Sequence, residues 1–185
     1  MILILFGILI AFITILLFFI FCTNVIISVI KKKPFPKKML MAMLCGMALV
    51  STIYLYETYF FTFNDIDREF VQKGPGPVVS PTEKYTANAY YEPYGGAAGG
   101  VNVWVEIKNN SENNNVHTIY YSDAKSNFSM KWLDEDILSI INDDPDFPNS
   151  NRSIKLKVGK EIYHENGLAC KSLLMKGDYD TCYQD

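Results

Sequence analysis

The chain has 185 residues, 49% of them hydrophobic, and a formal net charge of −3 at pH 7. The charge is unevenly distributed, because residues 64–185 hold 12 Lys/Arg against 19 Asp/Glu, a net charge of −7. An acidic region of this kind lacks the basic surface that nucleic-acid binding needs, so we expect no nucleic-acid partner. The length is sufficient for one ordinary domain plus an anchor.

Two charge-free apolar runs flank a basic loop near the start of the chain. The runs are Ile2–Ile30 and Met39–Tyr56, and the loop Lys31–Lys38 (KKKPFPKK) carries five lysines. About 20 apolar residues are enough to cross the hydrocarbon core of a bilayer. The pattern therefore predicts a transmembrane hairpin in residues 1–63. Its parts are spans at about 2–30 and 39–61 and a cytoplasmic loop at 31–38.

The lysine-rich loop determines the orientation that we expect for this hairpin. Positive charges in short loops favour the cytoplasmic side. Moving one charge across about 100 mV costs about 2.3 kcal/mol. Both termini and the region after the second span are then expected outside the cytoplasm. The sequence therefore predicts a cell-membrane protein with two spans, for which the lipid bilayer is the first partner.

Other interpretations of the first apolar run fit the sequence less well. A cleaved signal peptide usually begins with a basic segment, which Met1-Ile2-Leu3 lacks. A lipoprotein would be modified at Cys22, but the bulky Phe21 precedes it. Buried helices of a soluble protein are rarely apolar over such lengths. A membrane anchor remains the favoured interpretation.

After the hairpin, long apolar runs give way to short alternating ones. Residues 64–82, which include Lys73-Gly74-Pro75-Gly76-Pro77, are interpreted as a linker. Alternation of apolar and polar side chains then predicts six or seven short strands. The segments are Tyr85–Tyr91, Val101–Ile107, Val116–Tyr121, Phe128–Leu133, Ile137–Ile141, Ile154–Val158 and Glu161–Tyr163.

The predicted fold class is α+β with the two parts segregated along the chain. A transmembrane helix hairpin is followed, at residues 83–166, by a small, mainly antiparallel β domain that is curled or folded into a sandwich. Gly159-Lys160 is expected to form a hairpin turn between the last two strands, and Asn109–Asn115 a turn-rich loop. Residues 167–185 form a C-terminal tail, either a short helix or a packed segment.

Cysteine and tyrosine supply the candidate site residues. Cys170 and Cys182 both lie in the tail, where an extracytoplasmic location would permit a disulfide. The alternative is two free thiols. Tyr90, Tyr91 and Tyr94 precede a glycine-rich loop and are the rings that a partner would meet, or else they belong to the core.

The remaining polar clusters nominate no metal site and no reaction. Asp134–Asp136 and Asp143–Asp146 offer oxygens that suit calcium, but neither has the spacing of an EF-hand. His117 and His164 have no Cys or His neighbour at zinc spacing. A Gly-x-Ser-x-Gly elbow is absent from the sequence. We therefore expect no cofactor and no enzymatic activity.

Three short motifs carry a resemblance. They are Ser80-Pro81-Thr82-Glu83-Lys84-Tyr85, the glycine-rich Gly95–Gly100 with Val101–Ile107 after it, and Lys131–Ile137 (KWLDEDI). In these the chain resembles a family of small membrane-anchored proteins of Gram-positive bacilli, known only as a domain of unknown function. The resemblance covers roughly residues 40–165. It implies a membrane location and a β fold, and it brings no activity or site residue.

Three hypotheses for function follow. The first is a membrane-anchored, extracytoplasmic binding module that recognises an envelope or membrane protein, a peptide or a wall component. The second is an accessory or immunity-type subunit that acts through its spans. The third is an envelope hydrolase that uses the two acidic loops. We favour the first.

Overall fold

The computed structural model describes residues 2–111 and 115–185. They fall into two compact units, Met1–Phe60 and Phe61–Asp185. Three residues of the predicted Asn109–Asn115 loop, Glu112 to Asn114, lie outside the described residues. The first unit is helical and the second is mainly β, so the predicted fold class is confirmed.

The first unit is a pair of helices joined by the basic loop. Helix α1 spans Ile2–Ile30 and helix α2 spans Lys37–Tyr59, with Pro36 immediately before α2. Proline is tolerated there because the first residues of a helix have no intrahelical acceptor for their N–H groups. Both helices are long and apolar enough to cross a membrane. This supports the predicted membrane location.

Small side chains allow the two helices to approach closely. A Cβ added at Gly7 would lie 3.2 Å from Ile53, and one added at Gly46 would meet the Thr14 side chain. The Thr14 hydroxyl donates a 2.8 Å hydrogen bond to the Ile10 carbonyl, as is common for hydroxyls in apolar helices. Small residues at such crossings are typical of helices that pack inside a bilayer.

The second unit is built on a large sheet whose strand order is β1-β3-β4-β5-β9-β10, with β2 also paired to β3. Its long central strands are antiparallel, whereas β9 runs parallel to β5 and to β10. The bounds of the strands in this sheet are β1 Gln72–Lys73, β2 Val78–Val79, β3 Tyr85–Tyr94, β4 Gly100–Asn109, β5 Val116–Asp123, β9 Glu161–His164 and β10 Thr181–Tyr183.

A smaller antiparallel sheet has the order β6-β7-β8. These strands span Asn127–Trp132, Ile137–Asp143 and Ile154–Lys157. It packs on the large sheet through aromatic pairs, with Trp132 against Tyr85 and Phe128 against Tyr91. Leu138, Ile140 and Leu156 are completely or almost completely buried between the sheets.

The opposite face of the large sheet is covered by the segment that follows α2. A single turn of 3-10 helix spans Phe63–Asp65. Phe63 and Ile66 are buried, and the Arg68 guanidinium lies 5.9 Å from the centre of the Trp104 ring. The start of the interval predicted as a linker is therefore a packed part of the β unit.

The rest of that interval also differs from a flexible linker. Strands β1 and β2 pair with β3, and between them Gly74 donates a 2.9 Å hydrogen bond to the Ala89 carbonyl. A Cβ at Gly74 would lie 2.7 Å from the Tyr91 ring. Glycine is needed here for the close approach of the chain to β3, which composition alone does not distinguish from a linker.

The end of the chain departs from two further expectations. The turn at Gly159-Lys160 does not form a hairpin, because β8 belongs to the small sheet and β9 to the large one. The tail contains a four-residue helix, α3 (Leu168–Lys171), and adds β10 to the large sheet. Alternation locates strands, but it does not indicate which sheet each one joins.

Candidate functional site

The three predicted interaction tyrosines do not form one surface. Successive residues of a strand point to opposite faces, so Tyr90 stacks on Trp104 while Tyr91 packs against Phe128 between the sheets. The more exposed Tyr94 donates a 3.0 Å hydrogen bond to Asp123. The structure brings none of the three into a shared cleft.

The acidic loops Asp134–Asp136 and Asp143–Asp146 form hydrogen bonds within themselves. An Asp134 oxygen accepts from the N–H of Glu135, and an Asp144 oxygen accepts from the N–H of Asp146. Asp136 forms a 3.3 Å ion pair with Lys157. Within residues 2–111 and 115–185, no group of three or more His, Cys, Asp or Glu is placed to hold a metal ion.

A disulfide joins Cys170 to Cys182 in the tail. It connects the end of α3 to β10, and so the intervening residues form a closed loop against the sheet. We call residues 170–182 the disulfide loop. Since β10 pairs with β9, the loop is held at both the covalent link and the strand.

Strand β5 is paired along only half of its outer edge. The register between β4 and β5 shifts at Val105/Glu106, so Ile119 is an extra residue that forms a bulge. On the C-terminal side of the bulge, Tyr120 and Tyr121 pair with β9. On the N-terminal side of the bulge, Val116–Thr118 have no strand partner on that edge among the described residues. We call Val116–Thr118 the free half of β5.

Two clefts open beside the free half of β5, and together we call them the β5 groove. The first, about 500 Å³, lies over Ile107 and Ile119. The second, about 570 Å³, lies on the other face of the strand, over Glu106 and Thr118. His117, Asp178 and Tyr179 line both. Asp178 and Tyr179 belong to the disulfide loop, which therefore forms one wall of the groove.

The groove combines an apolar floor with polar walls. Ile107 and Ile119 are almost fully buried, whereas His117 and Asp178 are exposed. The Asp178 carboxylate makes no hydrogen bond or ion pair with any residue that the structure describes. Burial raises the pKa of Tyr179, and the negative charge of Asp178 adds to that effect. The walls carry charges of both signs, because Lys84 lines the first cleft and Arg68 and Glu106 line the second.

A second polar cluster is half-buried and links several segments of the β unit. Glu165 accepts hydrogen bonds from Arg152 at 2.7 Å, from Ser122 at 2.8 Å and from the N–H of Asp123 at 2.7 Å. Burial acts to raise the pKa of the Glu165 carboxyl, but these three donors together hold it below its ordinary value. Arg152 also pairs with Asp185 at 2.5 Å, which secures the end of the chain.

His164 is buried among aromatic rings next to that cluster. Its ring lies 4.9 Å from Phe61 and 5.1 Å from Tyr121, measured between ring centres. Neither ring nitrogen has a hydrogen-bond partner in the described structure. Burial lowers the pKa of His164 to about 4, so the ring is neutral at pH 7. A buried, neutral imidazole with no access to solvent is a structural residue.

Sequence reasoning missed the β5 groove, although one signal for it was present. The segment Val116–Tyr121 (VHTIYY) alternates at first and then places Ile119 and Tyr120 side by side. Such a slip in a two-residue period is the mark of a bulge. The wall formed by Asp178 and Tyr179 had no sequence signal, because the tail shows no regular period.

One comparison with known proteins gives a match. Residues 36–164 match the sequence model of a family described as "Family of unknown function (DUF5412)". The matched region runs from the residue before α2 to the end of β9 and includes the free half of β5. No curated protein and no solved structure is significantly similar to the chain.

Proposed function

The chain belongs to DUF5412, a family of unknown function, and we propose that it is a membrane-tethered binding module of the cell envelope. Helices α1 and α2 anchor it in the bilayer and hold the β unit on the extracytoplasmic side. The β5 groove binds a protein or peptide of the envelope. Its role is recognition, without a chemical reaction.

The orientation in this proposal rests on two independent features. The five lysines of the loop between α1 and α2 favour the cytoplasmic side of the membrane. The Cys170–Cys182 disulfide lies in the β unit, and disulfides persist in oxidising compartments outside the cytoplasm. Both features agree on a cytoplasmic loop and an external β unit.

The binding role rests on the β5 groove. A strand edge without a partner usually adds another strand or is blocked by charge, since its backbone groups remain available for pairing. Here that edge lies beside a cleft of about 500 Å³ with an apolar floor. Cavities of this size with a few polar groups are the usual form of a binding site.

The orientation is tested by labelling cysteines in intact cells. In a background with Cys22→Ser and Cys45→Ser, we introduce either Phe35→Cys in the loop or Asp134→Cys in the β unit, both at exposed positions. A membrane-impermeant maleimide should label the second and spare the first until the cells are opened. Labelling of Phe35→Cys alone in intact cells would reverse the proposed orientation.

The binding role is tested by photocrosslinking in living cells. A photoreactive amino acid at His117 lies in the groove, and one at Ser129, on the exposed face of the small sheet, is the matched control. We expect a discrete crosslinked species from position 117 and none from position 129. The species should be lost with Asp178→Lys. Equal crosslinking from both positions would exclude the groove as the binding site.

A further inference from the structure

The free half of β5 presents main-chain N–H and C=O groups that have no strand partner among the described residues, and an added strand would pair with them. The N–H of Asn109 donates to the carbonyl of Asn115 at 3.0 Å, which defines one hydrogen-bonded pair between β4 and β5. Such pairs alternate along an antiparallel ladder, so His117 bonds to β4 while the N–H and C=O groups of Val116 and Thr118 point to the outer edge.

On the C-terminal side of the bulge, the same edge of β5 is paired with β9. There the N–H of Glu165, just beyond β9, donates to the Tyr121 carbonyl at 3.0 Å. Strand β9 pairs with β5 only at Tyr120 and Tyr121, although Glu161 and Ile162 extend farther in the same direction. The extra residue Ile119 bends β5 at this point, because a bulge increases the local twist.

The charges around the groove indicate which peptide would fit. The Asp178 carboxylate lines both clefts and is unpaired among the described residues. Lys84 lines only the first cleft, where its ammonium lies 4.9 Å from the centre of the Tyr85 ring. In the second cleft, Arg68 is already neutralised by Glu106 at 3.2 Å. The β unit as a whole is acidic, since residues 64–185 carry a net charge of −7. These charges favour a cationic side chain beside Asp178 in the second cleft, away from Lys84.

We propose that the β5 groove binds an extended, basic segment of an envelope protein as an added strand, paired with the outer edge of Val116–Thr118. The main chain of the ligand bonds to the free half of β5, its alternate side chains enter the two clefts, and a Lys or Arg meets Asp178. This inference rests on the proposed binding function and specifies how it is performed.

The test begins with full-length protein in lipid nanodiscs and a pool of randomised nonapeptides. Bound peptides are selected against the Asp178→Lys variant, and the enriched sequences are resynthesised. We expect them to contain Lys or Arg among aliphatic residues. Failure of any peptide to enrich over Asp178→Lys would overturn strand addition by a basic segment.

A scan of N-methylated peptides then tests the main-chain pairing without changing the protein. Methylation removes a single N–H, and at amides that face β5 it should weaken binding by about tenfold or more. At the intervening amides the effect should be small, which gives a two-residue period. Tight binding without that period would overturn strand addition, whereas the crosslink from position 117 would still support the groove as a binding site.

A pair of variants tests the charge. Asp178→Asn should lower the binding affinity for the enriched peptides by about threefold to tenfold, and this loss of affinity should be smaller at high salt. The matched control is Asp180→Asn, because Asp180 lies in the same disulfide loop, pairs with Lys160 and does not line the groove. An equal effect of both variants would overturn the role given to Asp178.

Discussion

The helical unit and the β unit bury opposite parts of their sequences. In the hairpin, the buried side chains among the described residues are Thr14 and Met43, while large apolar residues such as Phe12, Phe19 and Leu49 are about half exposed. In the β unit, Val103, Leu138 and Leu156 are fully buried. The β unit therefore shields its apolar side chains in its own core, whereas the hairpin leaves most of its apolar side chains exposed.

This difference indicates what stabilises each unit. The β unit excludes water from its own core, so the hydrophobic effect acts within it. The hairpin leaves its apolar surface outward, and in lipid that surface gains nothing from burial against a partner helix. Close packing at small residues then has to hold the two helices together. Substitutions of the same chemical type should have different effects in the two units.

The largest expected effect comes from a leucine truncation in the β core. Leu156→Ala removes a fully buried side chain that lies beside Leu138 on the neighbouring strand β7. It should lower the free energy of unfolding by about 2 to 5 kcal/mol. Chemical denaturation followed by tryptophan fluorescence in nanodiscs measures this, since Trp104 and Trp132 both lie in the β core. The matched truncation Leu49→Ala in α2 should leave the transition unchanged. Equal losses would contradict the division between the units.

Removal of the disulfide should have the next largest effect. Cys170→Ser with Cys182→Ser opens a loop of 13 residues, which we expect to lower the free energy of unfolding by about 3 kcal/mol. The same denaturation measurement applies. The control is Cys22→Ser with Cys45→Ser, because these are the free cysteines and lie in the helices. A double variant of the tail with wild-type stability would show that β10 pairing alone holds the disulfide loop.

The sequence predicted the elements of both units more accurately than their assembly. The charge-free runs and the lysine loop located α1 and α2, because a bilayer imposes one simple requirement on composition. The strands were found near their observed bounds, for instance Val101–Ile107 within β4. Pairing was harder, since Gly159-Lys160 has the composition of a hairpin turn yet passes the chain between two sheets.

The candidate site was largely beyond prediction for the same reason. Tyr90 and Tyr91 are adjacent in sequence, and the pleat of the strand alone sends them to opposite faces, as alternation already implied. The groove instead depends on a bulge at Ile119 and on Asp178, which are 59 positions apart. No local pattern encodes that contact, because it is created by the packing of the tail.

A third prediction uses the buried imidazole of the β unit. Burial lowers the pKa of His164 to about 4, from an ordinary value of 6.5, so between these values the unfolded chain binds more protons than the folded one. The contribution of His164 is therefore fully present above pH 6.5 and is lost as the pH falls towards 4. We expect the free energy of unfolding to fall by about 2 kcal/mol between pH 7 and pH 5.

Two histidine variants separate this effect from general acid sensitivity. His164→Leu keeps the volume and removes two buried nitrogens without partners, so it should flatten the dependence between pH 7 and pH 5 and preserve stability at pH 7. His117→Gln, at an exposed position, should leave the dependence intact. If His164→Leu retained the full slope, another group would be responsible.

The smallest expected effect lies in the hairpin, where packing at small residues replaces a core. Gly46→Ala places a methyl group against Thr14, whose hydroxyl is fixed on the Ile10 carbonyl, and should weaken the contact between α1 and α2 by about 1 kcal/mol.

Spin labels at exposed Leu9 and Leu49, in a Cys22→Ser and Cys45→Ser background, should show a broader distance distribution by pulsed EPR in nanodiscs. The control Ala48→Val adds methyl groups at an exposed position and should leave the distribution unchanged. Because lipid tails cover an apolar helix face as well as a partner helix does, only close packing opposes separation of the helices, and even this single methyl should be detectable. An unchanged distribution with Gly46→Ala would mean that the lysine loop, rather than close packing, keeps α1 and α2 together.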